Sequence, residues 1–306
     1  MPIAHNRFTR IVVLVLLAAW PNADGWTQSR VECSALNSTY LKAPVRYCAF
    51  LPPHYDDSTP AKNPSSRIIR RYPVLYYLHG LGDNEQSLVN SGGWNLIQDL
   101  HEQHKIGDFI IAAPEGDRTF YVNSRDGRTP YSDFFIREFM PAMEHRYHVL
   151  KSSRGIMGIS MGGYGALRFA FAYPGLFTSV SAQSAALMPE SPKDLNVAMN
   201  SGLGQAALLG DVFGNPIDLA FWRQNSPFVL ARKNRALIAK LKIYFDCGAE
   251  DEYGFDRGAS ALHKQLVAEK IKHEFHLYPG GHNLVFFLQH LGESVEFHSR
   301  AFDEAR

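Results

Sequence analysis

Net charge, internal repeats and metal-ligand spacing are all nearly absent from this chain. Its 31 Lys and Arg balance 30 Asp and Glu to a net charge of +1. That balance gives no electrostatic case for nucleic acid or an anionic membrane surface as a partner. No repeat of 20–50 residues is visible, and no Cys or His cluster has zinc spacing, so neither a solenoid nor a structural zinc site is expected. Past the N-terminus no apolar run is long enough to cross a bilayer. What remains is an ordinary globular composition, 45% hydrophobic and 20% charged over 306 residues, enough for one large α/β domain or two small ones.

The N-terminus reads as a targeting segment. His5, Arg7 and Arg10 precede an apolar run over 11–20, with Ala18, Ala19 and Ala23 around its end. This is the order of a secretory signal peptide, and the run is about half the roughly 20 residues of a membrane-spanning helix. Residues 1–25 are therefore expected to be a cleaved leader, with the product secreted or periplasmic. Cleavage after Ala23 or after Gly25 fits, and an uncleaved membrane anchor is the alternative. Cys33 and Cys48 flank a turn near Leu41-Lys42-Ala43-Pro44. Regular pairing about that turn opposes Cys48 to Asn37 and leaves Cys33 about four residues away. At roughly 3.3 Å per residue that exceeds disulfide reach, so the spacing does not imply a bond. Cys247 lies in an apolar strand and reads as a buried, inert thiol.

The organising stretch is Gly155-Ile156-Met157-Gly158-Ile159-Ser160-Met161-Gly162-Gly163, which contains the G-x-S-x-G nucleophile-elbow pattern between an apolar run and a helical one. A serine at the tip of a strand-to-helix turn needs neighbours without side chains. The helix that follows aims its N-terminal N–H groups at developing negative charge. Ser160 is the expected nucleophile.

Around it, residues 31–53 read as an antiparallel hairpin and 56–66 as a Pro/Asp/Ser-rich loop. Continuous apolar runs at 73–78 and 109–114 read as strands buried on both faces, and 177–182, 241–247 and 274–278 read as further strands. Helical patterns at 96–104, 131–146 (with Pro141 expected to kink or restart the helix), 255–270 and from Leu284 onward alternate with them. This alternation predicts an α/β fold, a mainly parallel central sheet with helices on both faces and an N-terminal antiparallel hairpin. Residues 26–306 form one domain in this reading, with the Gly- and Pro-broken stretch 188–226 an insertion over the site. Ligands in such sheets bind beyond the carboxyl ends of the strands.

A serine hydroxyl needs a base, and the base needs an acid to orient it. Gly248-Ala249-Glu250-Asp251-Glu252 follows a strand, and Asp251 is the expected acid, with Glu250 and then Asp246 as alternatives. Tyr278-Pro279-Gly280-Gly281-His282 ends the last strand, and His282 is the expected base. The other histidines considered, His263, His273, His276, His290 and His298, read as structural. The oxyanion needs two backbone donors: the N–H of Met161, and one from His79-Gly80-Leu81-Gly82, assigned to Leu81 with Gly82 as alternative. Trp94 and Tyr253 are candidate flanks for an aromatic or sugar substrate. The chemistry requires no metal or organic cofactor.

With Tyr76-Tyr77-Leu78-His79-Gly80, Gly158-Ile159-Ser160-Met161-Gly162-Gly163 and Gly280-Gly281-His282, the chain from about 31 to 300 resembles the esterase D-like family of the α/β-hydrolase superfamily. That family includes feruloyl and acetyl-xylan esterases, S-formylglutathione hydrolases and mycolyltransferases. The resemblance implies Ser160, Asp251 and His282 as triad with Leu81 and Met161 as oxyanion donors. It also marks Tyr131-x-Asp133-Phe134 and Asn225-Ser226-Pro227 as scaffold. The His-Gly-Leu-Gly-Asp loop departs from the Thr-Cys continuation of formylglutathione hydrolases. The expectation is an exported serine esterase acting on a small-molecule or acylated-saccharide ester. Acyl transfer and thioester hydrolysis are the alternatives, and a non-catalytic binding protein is disfavoured because no triad member is missing.

Overall fold

All seven residues of strand β3 (Tyr72–Leu78) and all five of β4 (Ile110–Pro114) are buried, as continuous apolar runs require of strands covered on both sides. They belong to one eight-stranded sheet in a computed structural model that describes residues 29–53, 55, 70–188 and 205–305, with backbone alone for 205–208. The leader 1–25, the loop 56–66 and residues 189–204 of the expected insertion lie outside the described residues.

The other strands are β1 (Arg30–Asn37), β2 (Pro44–Leu51), β5 (Val149–Ile159), β6 (Ser179–Gln183), β7 (Lys242–Gly248) and β8 (Glu274–Tyr278). Their order is β1-β2-β4-β3-β5-β6-β7-β8. The β1–β2 and β2–β4 pairs are antiparallel, and every later pair is parallel. Helices α1 (Ser87–Asn90), α2 (Gly93–Glu102), α3 (Tyr131–Phe134), α4 (Met140–Arg146), α5 (Met161–Ala172), α6 (Gln205–Phe213), α7 (Leu219–Asn225), α8 (Pro227–Lys233), α9 (Arg235–Ile238), α10 (Phe255–Ala268) and α11 (Leu284–Glu304) complete the described elements. Alternate residues of β3 feed two cores. Val74, Tyr76 and Leu78 pack with α5, α3 and α4, while Leu75 and Tyr77 pack with α2 through Ile97 and Leu100 and with α11 through Leu291 and Val295. This is the α/β-hydrolase arrangement, with helices on both faces.

One local expectation needs correction. The hairpin register pairs Asn37 with Pro44, and therefore Cys33 with Cys48, rather than Asn37 with Cys48. The loop is six residues long, closed by Ser38 N–H donating to the Ala43 carbonyl, and Lys42 takes a left-handed φ of 55°. Ser38 Oγ also donates to Glu138, 100 residues downstream. The two cysteines thus face each other with Cα atoms 4.1 Å apart and form a disulfide. Of the two outcomes expected at Pro141, the structure shows the restart: Phe135–Phe139 widens into a π-turn and α4 begins at Met140 with Pro141 in its first turn, where the N–H that proline lacks is not needed.

The two scaffold motifs converge on the helix behind the elbow. Arg168 of α5 donates to Ser132 Oγ (2.7 Å) and to Asn225 Oδ1 (3.0 Å), and Tyr164 Oη donates to the Asn225 carbonyl (2.8 Å). Those bonds tie α5 to the 131–134 and 225–227 segments and fix where its N-terminus lies.

Candidate active site

Ser160 stands between the last residue of β5 and the first of α5, with φ 57° and ψ −115°. Such a backbone is strained for any residue with a Cβ. Its own groups are used to hold it: the N–H donates to Gln183 O (2.9 Å), and the carbonyl accepts from Tyr164 and Ala186 (3.0 Å each). The flanking glycines are required by contact. A Cβ on Gly162 would lie 2.0 Å from the Leu78 carbonyl oxygen, and one on Gly158 would lie 2.3 Å from the Gly162 carbonyl carbon. The elbow is thereby pressed against the end of β3, the strand that carries the His79-Gly80-Leu81 loop.

The histidine arrives from the end of β8. His282 Nε2 lies 2.9 Å from Ser160 Oγ, and Nδ1 lies 2.8 Å from Asp251 Oδ2. Edge contacts from Tyr253 (4.8 Å), Phe255 (5.4 Å) and Phe287 (5.1 Å) surround the imidazole. Asp251 has a fully buried side chain and is held by backbone donors: Oδ1 accepts from Tyr253 N–H (3.0 Å) and Phe255 N–H (3.3 Å). Cys247 Sγ donates to its Oδ2 at 3.6 Å. Burial pushes that thiol's pKa well up, and the Asp251 charge adds to the rise, so it stays a thiol and a donor.

Ser160, Met161, Gly80, Leu81, Tyr253 and His282 line one cavity of about 510 Å³. Leu88, Ile159, Leu288 and Leu291 give it apolar lining, and Asp83, Asn90 and Asn283 polar lining. The loop carrying Leu81 is fixed from behind. Gly116 N–H donates to His79 Nε2 (2.8 Å), Nδ1 faces the Gly80 carbonyl (2.8 Å), and Tyr121 Oη donates to the His79 carbonyl (2.9 Å).

The structure thus brings together Ser160, His282, Asp251, Leu81, Met161 and Tyr253. Trp94 is elsewhere: its ring packs on Phe50 (5.0 Å), and it lines a separate cavity with Pro52, Ile97 and Phe109. The helical periodicity of α2 allowed Trp94 either face, and Phe50 takes it. The alternative acids are also placed. Glu250 accepts from the Gly280 N–H, and Asp246 is buried with its carboxyl raised well above the usual range by burial. None of the described residues of 188–226 lines the cavity, although Phe213 packs edge-on against Phe120, which does. Sequence reasoning missed the supports Tyr121, His79 and Cys247. Consecutive left-handed residues Phe120 and Tyr121 (φ 50° and 58°) carry no sequence mark.

A second serine–histidine contact needs to be distinguished. Ser179 Oγ lies 2.7 Å from His298 Nδ1, and Ser181 Oγ lies 2.8 Å from its Nε2. Both serines, on β6, and His298, on α11, are buried where the helix meets the sheet. Burial lowers the pKa of His298 to about 3. With hydroxyls on both nitrogens and no access for a substrate, this is a core network.

The strand order, the serine elbow and the cleft at the carboxyl ends of the strands define a protein of the α/β-hydrolase class. Within that class the chain belongs to the family described as "Putative esterase", whose model matches residues 38–298. It is 28% identical over 233 residues to Esterase Rv1288 of Mycobacterium tuberculosis (strain ATCC 25618 / H37Rv), covering 70% of this chain. The chain spans about half (49%) of the length of that relative. An acetyl esterase of Caldicellulosiruptor saccharolyticus is 26% identical over 285 residues, covering 87% of this chain and 97% of its own. Among solved structures, a ferulic acid esterase superposes with a TM-score of 0.73 at 24% identity, over 90% of this chain and 99% of its own. Among the described residues no helix is long and apolar enough to cross a membrane.

Proposed function

We propose that the protein is a serine esterase that cleaves carboxylic esters through an acyl-enzyme. The observation that carries this reading is the pair of contacts on one imidazole, 2.9 Å to Ser160 Oγ and 2.8 Å to Asp251 Oδ2, at the wall of a substrate-sized cavity. His282 Nε2 takes the Ser160 proton as Oγ bonds to the ester carbonyl carbon. The oxygen that gains the electron pair is stabilised by the Leu81 and Met161 N–H groups, the latter at the start of α5. Collapse breaks the bond to the alcohol oxygen, which leaves with the proton from His282. A water then repeats the sequence, losing its proton to His282, and the acid departs as Ser160 regains its hydrogen. Asp251 orients the ring and stabilises its charged form.

The apolar lining suits a hydrocarbon-bearing acyl group, and Tyr253, 40% exposed beside His282, suits the leaving alcohol's side. A single domain over 26–306 that acts outside the cytoplasm after leader removal fits the Cys33–Cys48 disulfide, since such bonds persist in oxidising compartments. The test is a panel of p-nitrophenyl acetate and butyrate, feruloyl, acetyl-xylan and formylglutathione esters, with and without an acceptor alcohol. Ester turnover by the wild type and none by Ser160→Ala supports the reading. Product appearing only when the alcohol is present would replace hydrolysis by transfer, and equal turnover by Ser160→Ala would end it.

A further inference from the structure

The acid loop holds three carboxylates in succession, Glu250, Asp251 and Glu252, and only the middle one meets the imidazole. The outer two turn to the backbone of the loop that carries it. Glu250 accepts from the Gly280 N–H, and Glu252 Oε2 accepts from the N–H of His282 itself at 2.6 Å. Backbone bonds run alongside: Ala249 N–H to Tyr278 O (2.7 Å) and Glu250 N–H to Gly280 O (3.0 Å). The two loops are in van der Waals contact where glycine permits it. A Cβ at Gly248 would lie 2.3 Å from Gly280 O, and one at Gly281 would lie 2.4 Å from Glu252 Oε1. On its other side the histidine loop is fixed by the start of α11, where Asn283 Oδ1 accepts from Phe286 N–H (3.1 Å). The His282 hydrogen bond also lowers the Glu252 carboxyl's pKa below its usual range.

We infer that Glu252 is a positioning residue for His282, fixing through the backbone N–H where the imidazole stands between Ser160 and Asp251. This rests on the triad reading above. Glu252 is exposed on the outer side of the loop and touches no wall of the cavity, so its removal leaves substrate contacts and the core alone. A small displacement of a catalytic base affects the chemical step rather than binding.

The test compares kcat and KM for p-nitrophenyl acetate on proteins normalised by active-site titration, with Tm recorded for each. Glu252→Ala is expected to lower kcat about tenfold with KM within about twofold, and Glu252→Gln, which keeps an acceptor oxygen, to recover most of it. Gly281→Ala pushes the carboxylate away without deleting it. It should reproduce the Glu252→Ala loss, and the double variant should fall no further than either single one. Wild-type kcat in Glu252→Ala, Glu252→Gln no better than Glu252→Ala at equal Tm, or additive losses in the double variant would each overturn the assignment. Loss of activity in Ser160→Ala and His282→Ala alongside any of these would leave the triad standing. Full activity in Ser160→Ala would instead remove the triad reading itself.

Discussion

Ser160→Gly should give a dead but more stable protein than Ser160→Ala. The serine sits at φ 57°, ψ −115°, a region that a residue with a Cβ occupies at a cost of about 1–3 kcal/mol. Alanine keeps that cost, because the clash comes from the Cβ and not from the hydroxyl, and glycine removes it. Against the gain stands the greater freedom of glycine in the unfolded chain, about 0.4–1 kcal/mol. Both variants lose the same bond to His282 Nε2, so that contribution cancels in the comparison. The difference left is about 1.3 kcal/mol in favour of glycine at the middle of those ranges and about 0–2.6 kcal/mol at their ends. For a chain of this size that raises Tm by roughly 1–4 °C. Thermal unfolding of the two variants in one buffer, followed by circular dichroism and calorimetry, measures it. Ser160→Gly melting at or below Ser160→Ala would refute the idea that the elbow holds its nucleophile under backbone strain.

The remaining expectations concern the base, the disulfide and a buried histidine. His282→Ala should lower kcat by about 10⁴-fold or more and Asp251→Asn by less, each with little change in KM, as steady-state kinetics on an activated ester would show. Removing the Cys33–Cys48 bridge, which closes 15 residues, should cost about 3 kcal/mol in urea denaturation, with activity at about 25 °C retained because the hairpin lies at the sheet edge away from the cleft. His298 is held neutral in the native state down to about pH 3, whereas its unfolded form protonates near pH 6.5. Between those values the unfolded chain binds the extra proton, so stability rises with pH and is lost on acidification, by up to about 1.4 kcal/mol per pH unit from this group. Urea midpoints measured from about pH 4 to 7 should show a shallower slope in His298→Gln than in the wild type.

Much of the site was readable because its parts are written locally. Gly158-x-Ser160-x-Gly162 marks its turn within five residues, although the contact that excludes a Cβ from Gly162 comes from Leu78 of β3. Asp251 and His282 each stand in the loop after a strand, and the parallel β order then places all three at the carboxyl ends of the strands. Contacts made across the chain were not readable. The hairpin register depends on a six-residue loop tied to Glu138, which no symmetric turn model supplies. Trp94 was ambiguous because an amphipathic helix does not say which aromatic meets the sheet, and Phe50 decides it. The thiol of Cys247 reads as filler in an apolar strand, yet four residues on the chain turns back and brings Asp251 onto it. The roles of Glu250 and Glu252 were hidden for a related reason: three adjacent carboxylates look interchangeable until the strand end fixes which way each one points.

The central claim is that Ser160 Oγ becomes covalently acylated during turnover. Rapid acid quench of the enzyme mixed with excess p-nitrophenyl acetate, followed by peptide mass spectrometry, tests it most directly. One acetyl group is expected on the peptide bearing Ser160, formed in a burst with p-nitrophenol and absent from Ser160→Ala. An acetyl group on any other residue, or equal labelling of Ser160→Ala, would contradict it.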